Sequence, residues 1–407
     1  MLSKNPAIIA LVLLAIVCLF LPDRNAVAQE ANEAPVARPE AAPDRAEAYL
    51  KYLRNNRRDT ALVSFSLDRR GRLDPADPII IHNPHRAMPL ASVVKIIHLA
   101  AYAKAVEDGR IDPNRLVTVA EWEQTYLPGT DGFAHDDALR ELGIPTNEFG
   151  FALNPEQTVT VAQMVRSMIR FSDNAVPDWL LKNLGARAFA NVLYQGGLSG
   201  QELPRFITGS FLALENHEKG LLTEQSVAEL KNLTPQALSR EIRRLQERYL
   251  DPEWRAEELN WRLQNQNQLG NRTLGKVVED VLAKGTAGDY AWMFIRILNG
   301  EFLSNRVSAL MREVLETSFR IQPELYAVYG SKGGSLDGGV LNNASYSVPA
   351  AGDFSGKRRV TILFQRNIEP ALFDGFVAPP FPSVLFEDRL NTERRFAGLV
   401  QRAFLLP

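Results

Sequence analysis

The sequence predicts an α+β fold: an antiparallel β-sheet flanked by N- and C-terminal helices, with a large all-α lobe beside it. Three observations carry this. Short β-rich runs occur only near the two ends of the 407-residue chain. The long middle, roughly residues 110–320, has mostly helical period. Amphipathic helical stretches bracket the strands at either end. Strands so far apart in sequence form one unit only if both ends build one sheet.

Residues 45–56 (RAEAYLKYLRNN) have the pattern of an amphipathic helix. Thr60–Asp68 is β-rich and stops at Arg70-Gly71, a turn signal, and Pro78–Ile81 is a second short strand. From Ala91 to about Asp108 apolar residues recur at helical spacing, with Gly109 as a stop. Further helices are expected over Val159–Phe171, Ala175–Leu184 and the charge-dense stretch 236–262. The last carries Leu238, Ile242, Leu245 and Tyr249 along one stripe and opens at Thr234-Pro235. After Glu324 the strands return at 326–331, 340–348 and 358–366, and a helix over Ser383–Phe404 closes the chain. The expected organisation is a sheet part of 45–90 and 324–407 around a helical lobe of 91–323.

The first 44 residues read as no part of the fold. Lys4, an apolar run Ala7–Leu21 and Ala26-Val27-Ala28 form an export signal over 1–28, with an uncleaved anchor as the alternative. Residues 29–44 are an Ala/Pro/Glu-rich tether with too little apolar surface to order. The only cysteine, Cys18, lies in the signal, so the mature chain has no thiol chemistry. With 46 Lys and Arg against 48 Asp and Glu, a net charge of −2 and 45% hydrophobic residues, composition excludes a disordered acidic chain, a polytopic membrane protein and a basic nucleic-acid binder. No His/Asp cluster has ligand spacing, so neither metal nor cofactor is expected. Of the histidines (82, 85, 98, 135 and 217), none has a pairing the sequence can establish. Trp179, Trp254, Trp261 and Trp292 read as packing residues.

Three short motifs bear on chemistry. Ser92-Val93-Val94-Lys95 opens a helix, so Lys95 lies one turn from the Ser92 hydroxyl, near the positive end of the helix dipole. A serine becomes a nucleophile when a neighbour takes its proton, and a buried lysine of lowered pKa can do so. Ser172-Asp173-Asn174 follows an apolar helix, and Lys332-Gly333-Gly334 lies in an edge strand between Ser331 and Ser335. Taken singly, each is as well read as a cap, a solvated lysine or a hairpin.

In this order and these contexts the motifs resemble the serine β-lactamase and penicillin-binding protein superfamily, more closely its class A β-lactamase-type serine hydrolases. VTVAQMVRSMIRFSDNAVPDWLLKNLG is similar to that family's helix–SDN–helix segment, and GTAGDYAWMFIRILNGEFLS to a later helix. The resemblance covers about 45–407, with two stretches longer than the family norm, Val119–Glu156 and about Leu221–Lys284. It implies Ser92 as nucleophile, Lys95 as general base, Ser172 as proton relay and Lys332 as electrostatic partner of Ser172. It further implies an oxyanion hole from the backbone N–H groups of Ser92 and Ser335. Substrate contacts would come from Asn174, Gly333, Gly334 and Ser335, and Asp173 would be structural.

Two departures stand out. The position after the third motif's lysine, usually Thr or Ser, is Gly333. No E-x-x-L-N follows the second motif; Glu202 and Glu215 are the nearby carboxylates that could serve as deacylation base. The expectation is an exported, monomeric serine hydrolase acting through an acyl-enzyme on a β-lactam or related amide or ester. One alternative is a D,D-peptidase or esterase that binds penicillin and clears it slowly, acting on a peptidoglycan-like peptide. The other is a non-catalytic binding or sensor module using 236–262 on a partner. No nucleic-acid partner and no membrane span after signal cleavage are expected.

Overall fold

A computed structural model describes residues 44–265, 281–317, 323–336, 339–379 and 381–405. The expected export signal, Cys18 and all of the expected tether but Asp44 lie outside them. Among the described residues, no helix is long and apolar enough to cross a membrane.

Helix α1 (Arg45–Asn55) starts at Asp44, whose carboxylate accepts the Ala46 and Glu47 N–H groups. Strands β1 (Thr60–Leu67) and β2 (Ile80–His82) follow. The late strands are β7 (Tyr326–Leu336), β8 (Val340–Pro349) and β9 (Arg358–Gln365). Together they form one antiparallel sheet in the order β2-β1-β9-β8-β7. Thr60 pairs with Gln365 and Leu67 with Arg358, so the two ends of the chain share one sheet. The expected α+β architecture is therefore the observed one.

Alternation along the strands separates two apolar cores. Val360, Ile362 and Phe364 face the larger core, while Leu363 joins a smaller one with Tyr49, Leu53, Phe386, Leu390 and Val400 from the terminal helices. The larger core is centred on α2 (Lys95–Glu107), buried on nearly every side, as a helix apolar all round should be. A 3₁₀ turn over Ala91–Val94 leads into it, and Gly109, at φ +69°, ends it.

Two short strand pairs that periodicity did not reveal border and enter the helical middle. Strand β3 (Met88–Pro89) pairs with β6 (Lys284–Gly285), and β4 (Leu116–Thr118) with β5 (Thr158–Thr160). Helix α3 (Val119–Glu123) follows β4, and α4 (Ala134–Glu141) follows a loop. Helix α5 (Val161–Arg170) thus starts two residues later than expected, because Thr160 and Gln163 form a capping box. Then come α6 (Ala175–Leu184), α7 (Ala186–Gly196), α8 (Ile207–Leu214) and α9 (Glu224–Lys231).

Other boundaries also needed correction. The stretch 236–262 is two helices, α10 (Pro235–Tyr249) and α11 (Pro252–Asn265), because the Asp251 carboxylate caps a new start at Glu253 and Trp254. The closing helix is likewise two, Pro382–Thr392 and Arg394–Leu405, split at an extended Glu393 where Asp353 accepts the Arg394 N–H. Strand β2 is shifted to Ile80–His82, and β7 runs on to Leu336, taking in the whole third motif. Helices α8–α11 assemble a third apolar cluster from Leu212, Leu238, Ile242, Leu245, Tyr249 and Trp254, joined by Leu127. Trp179 and Trp254 are buried, whereas Trp292 is half exposed.

Candidate active site

Three elements from distant parts of the chain converge on one group of side chains. Ala91 takes φ +46°, turning the backbone so that Ser92 sits at the head of α2. One turn on, Lys95 is fully buried, and its Nζ lies 3.0 Å from Ser92 Oγ. The same ammonium reaches Ser172 Oγ at 3.1 Å, the Ser172 carbonyl at 2.5 Å and Asn174 Oδ1 at 2.7 Å. Ser172 adopts φ +75°, a left-handed conformation costly for a residue with a Cβ, and this turns both its carbonyl and its hydroxyl toward Lys95. From the sheet edge, Lys332 Nζ lies 3.0 Å from Ser172 Oγ and 2.9 Å from the Gly333 carbonyl. Ser92, Lys95, Ser172 and Lys332 thus form one continuous chain of hydrogen bonds, with Asn174 at its side.

The two glycines of the third motif differ. A Cβ on Gly334 would lie 2.7 Å from the Leu90 carbonyl and 2.8 Å from the Ser92 and Val93 nitrogens. Only glycine lets β7 press against the turn that carries Ser92, and the next residue on that strand is Ser335. At Gly333 a Cβ would meet only the Asn342 carbonyl, at 3.8 Å, so a side chain has room there.

Burial dominates the electrostatics. It pulls the Lys95 ammonium down to about 8, against the upward pull of the Asp173, Asp131 and Asp178 carboxylates. Burial and the neighbouring Lys95 hold Lys332 well below the usual lysine range. Asp173, wholly buried, accepts the Val176 N–H at 2.7 Å, His135 Nδ1–H at 2.6 Å and the Trp122 indole N–H at 3.4 Å. Asn174 donates to the Thr130 carbonyl at 3.0 Å. Asp178 accepts the Ile207 and Thr208 N–H groups at the start of α8, and burial lifts its carboxyl to about 7.

The two carboxylates considered for deacylation have other partners. Glu215 is buried, accepts the Leu222 N–H at 3.3 Å and pairs with Arg262 at 3.7 Å. Glu202 is exposed and binds Arg205 and the Lys284 N–H. Among the described residues, neither has a hydrogen bond to Ser92, Lys95, Ser172, Asn174 or Lys332. His135, whose role the sequence did not reveal, is joined directly to the second motif. Its partner lies 38 residues away, and no local spacing signals that pair. Among the described residues, no group of His, Cys, Asp or Glu is arranged to hold a metal ion.

A profile of the beta-lactamase enzyme family matches residues 74–281, just over half of the chain. The chain belongs to that family. Structural comparison agrees on the fold. A beta-lactamase from Sphaerobacter thermophilus DSM 20745 aligns over 89% of this chain and 98% of its own, with a TM-score of 0.51 and 15% identity. A point mutant of PBP-A, an acyl-enzyme complex with penicillin G, aligns over 90% and 99% at 0.45 and 15%. A class A β-lactamase representing the last common ancestor of Gram-negative bacteria aligns over 84% and 97% at 0.48 and 14%. Among curated protein sequences none matches. The serine β-lactamase and penicillin-binding protein resemblance read from the motifs therefore stands. At 15% identity the Sphaerobacter thermophilus structure speaks for the fold alone.

Proposed function

We propose that this member of the beta-lactamase family is a serine hydrolase that opens β-lactams, or related amides and esters, through an acyl-enzyme on Ser92. The observation that carries the reading is the hydrogen-bonded chain Ser92–Lys95–Ser172–Lys332, every link of it 3.0–3.1 Å. A neutral Lys95 takes the Ser92 proton as Oγ attacks the carbonyl carbon. The developing oxyanion is received by the N–H groups of Ser92 and Ser335. The proton passes through Ser172 to the leaving nitrogen, the C–N bond breaks, and an ester remains on Ser92. Lys332 holds Ser172 and offers positive potential to a substrate carboxylate, while Asn174 binds the substrate's side-chain amide. A Lys95 near 8 implies acylation that rises with pH to a plateau, with its midpoint close to that value.

A second reading is favoured by where Glu215 and Glu202 are engaged. With both carboxylates bound elsewhere, neither of them activates water at the ester, and β-lactams would be cleared slowly, as by a penicillin-binding D,D-peptidase or esterase. The sequence of residues 1–28 supports export, and we read residues 45–407 as one monomeric enzyme unit. The test is the intact mass of the chain from Gln29 during incubation with benzylpenicillin, with free penicillin followed in the same tube. A lasting adduct supports slow turnover, and penicillin consumed without one supports a β-lactamase. Labelling that persists in Ser92→Ala, or a wild type that neither reacts nor consumes penicillin, overturns the assignment.

A further inference from the structure

The long segment between α3 and α5 sends one side chain to the back of the site. His135 is fully buried, with its Nδ1 2.6 Å from Asp173 and its Nε2 3.7 Å from a Glu123 oxygen. Its backbone N–H bonds one oxygen of Asp131, whose other oxygen is buried with no hydrogen-bond partner among the described residues. The imidazole stacks on the Tyr126 ring at 4.2 Å and meets the Trp122 ring at 4.9 Å and 84°. Two aromatic rings and three carboxylates are the surroundings of a cation. Burial opposes that charge, but Asp173, Glu123 and Asp131 outweigh it and lift the imidazole to about 9.

Two of these carboxylates, Asp173 and Asp131, also act on the Lys95 ammonium. Asp173 from the serine turn, Asp131 from the loop before α4 and Asp178 from α6 all favour its charged form against burial, while Lys95 in turn pushes Lys332 on β7 down. Asp131 and Asp173 each feel both cations, His135 and Lys95; with His135 uncharged they would act on Lys95 alone and hold it more firmly as an ammonium.

Resting on the acyl-transfer reading above, we propose that His135 is a positioning residue. Its imidazolium offsets the Asp131 and Asp173 carboxylates so that Lys95 can give up its proton, and its Nδ1–H holds Asp173, the staple of the Ser172 turn.

His135→Asn and His135→Leu separate the two parts. Asparagine keeps a donor near the Nδ1 position without the charge; leucine loses both. The readouts are the Lys95 titration, followed by NMR of ¹³C-lysine-labelled protein and assigned with Lys95→Ala, and the pH profile of acylation by benzylpenicillin. In His135→Asn the Lys95 titration should rise by about one unit or more, and the acid limb of acylation should move with it. That means roughly tenfold slower acylation at pH 7, with the high-pH plateau kept. In His135→Leu the plateau should fall as well. An unmoved Lys95 titration in His135→Asn overturns the proposal. So does an equal loss of plateau in both variants with an unshifted acid limb, the signature of a merely structural role. If the wild type is never acylated, the Ser92 reading fails, while the Lys95 titration still decides the role of His135.

Discussion

The segments 119–156 and 217–265 each contribute a histidine bonded to a buried carboxylate, and they use the bond differently. In the first, His135 reaches Asp173 in the turn that holds Ser172. In the second, Glu258 is fully buried between Arg262 Nε at 2.7 Å and His217 Nδ1 at 2.9 Å, and it also takes the His217 N–H. That pair ties α11 to the turn after α8, and its helices pack mainly on one another. In both places an imidazole Nδ1 bonds a buried carboxylate. What differs is the element each pair restrains: the strained Ser172 turn in one case, a helix junction in the other. The more conspicuous region in the sequence, with its dense charge and long amphipathic stripe, is the one further from Ser92 and Lys95 in bonding terms.

The sharpest attack on this contrast is to remove the staple itself. Asp173→Ala should cost about 3–5 kcal/mol by leaving His135 uncompensated. It should also slow acylation by roughly a hundredfold or more, since the carboxylate bond to the Val176 N–H that closes the Ser172 turn is then lost. Guanidinium unfolding and the rate of penicillin labelling measure the two effects, and normal labelling per folded molecule would contradict the role given to the turn.

Glu258→Leu is the matching experiment. A similar loss of about 3–5 kcal/mol is expected, with acylation of the folded protein unchanged. A large fall in that rate would mean the second segment also governs the site.

Stability against pH sharpens the contrast further. The folded His135 value, about 9, lies above its unfolded value of 6.5. Its contribution is therefore complete below about 6.5 and disappears as pH rises through 9. Wild type and His135→Asn should differ most near pH 6, and the gap should close by roughly 3 kcal/mol at most by pH 9.5. Parallel curves from denaturant titrations across that range would rule out a charged His135.

The smallest effect is expected at the sheet edge. Gly333→Ser should leave stability within about 0.5 kcal/mol, because the space is open. It should raise the acylation rate of a carboxylate-bearing penicillin severalfold by adding a hydroxyl donor. Gly334→Ala, one residue on, should be poorly tolerated. A penicillin rate unchanged by the new hydroxyl would show that Gly333 is not the gap in carboxylate recognition.

What the sequence made legible was local. Ser92 and Lys95 share one helical turn, Ser172 and Asn174 one loop, and Lys332 and Gly334 one strand, so each motif could be read within a few residues. The sheet was legible because β-rich runs stood only at the ends. Illegible features depended on partners far away. His135 and Asp173 are 38 residues apart, and the break at Glu393 rests on Asp353, 41 residues before the Arg394 N–H it accepts. Strands β3 to β6 are two or three residues long and stand on pairing rather than on any period of their own. The need for glycine at 334 came only from the backbone of Leu90, Ser92 and Val93 pressed against it.

The sheet order has a consequence for how the molecule comes into being. Strand β1 pairs with β2 along three residues and with β9 along eight. During synthesis its main partner is absent until residue 365 has left the ribosome, when nine-tenths of the polypeptide already exists. One edge of β1 stays unpartnered for almost the whole of translation, and closure must wait for a contact spanning some 300 residues, a slow step by topology alone. Such a chain remains threadable while it is being made. A nascent polypeptide arrested before Arg358 should be cut by protease within β1, and one released after Gln365 should not.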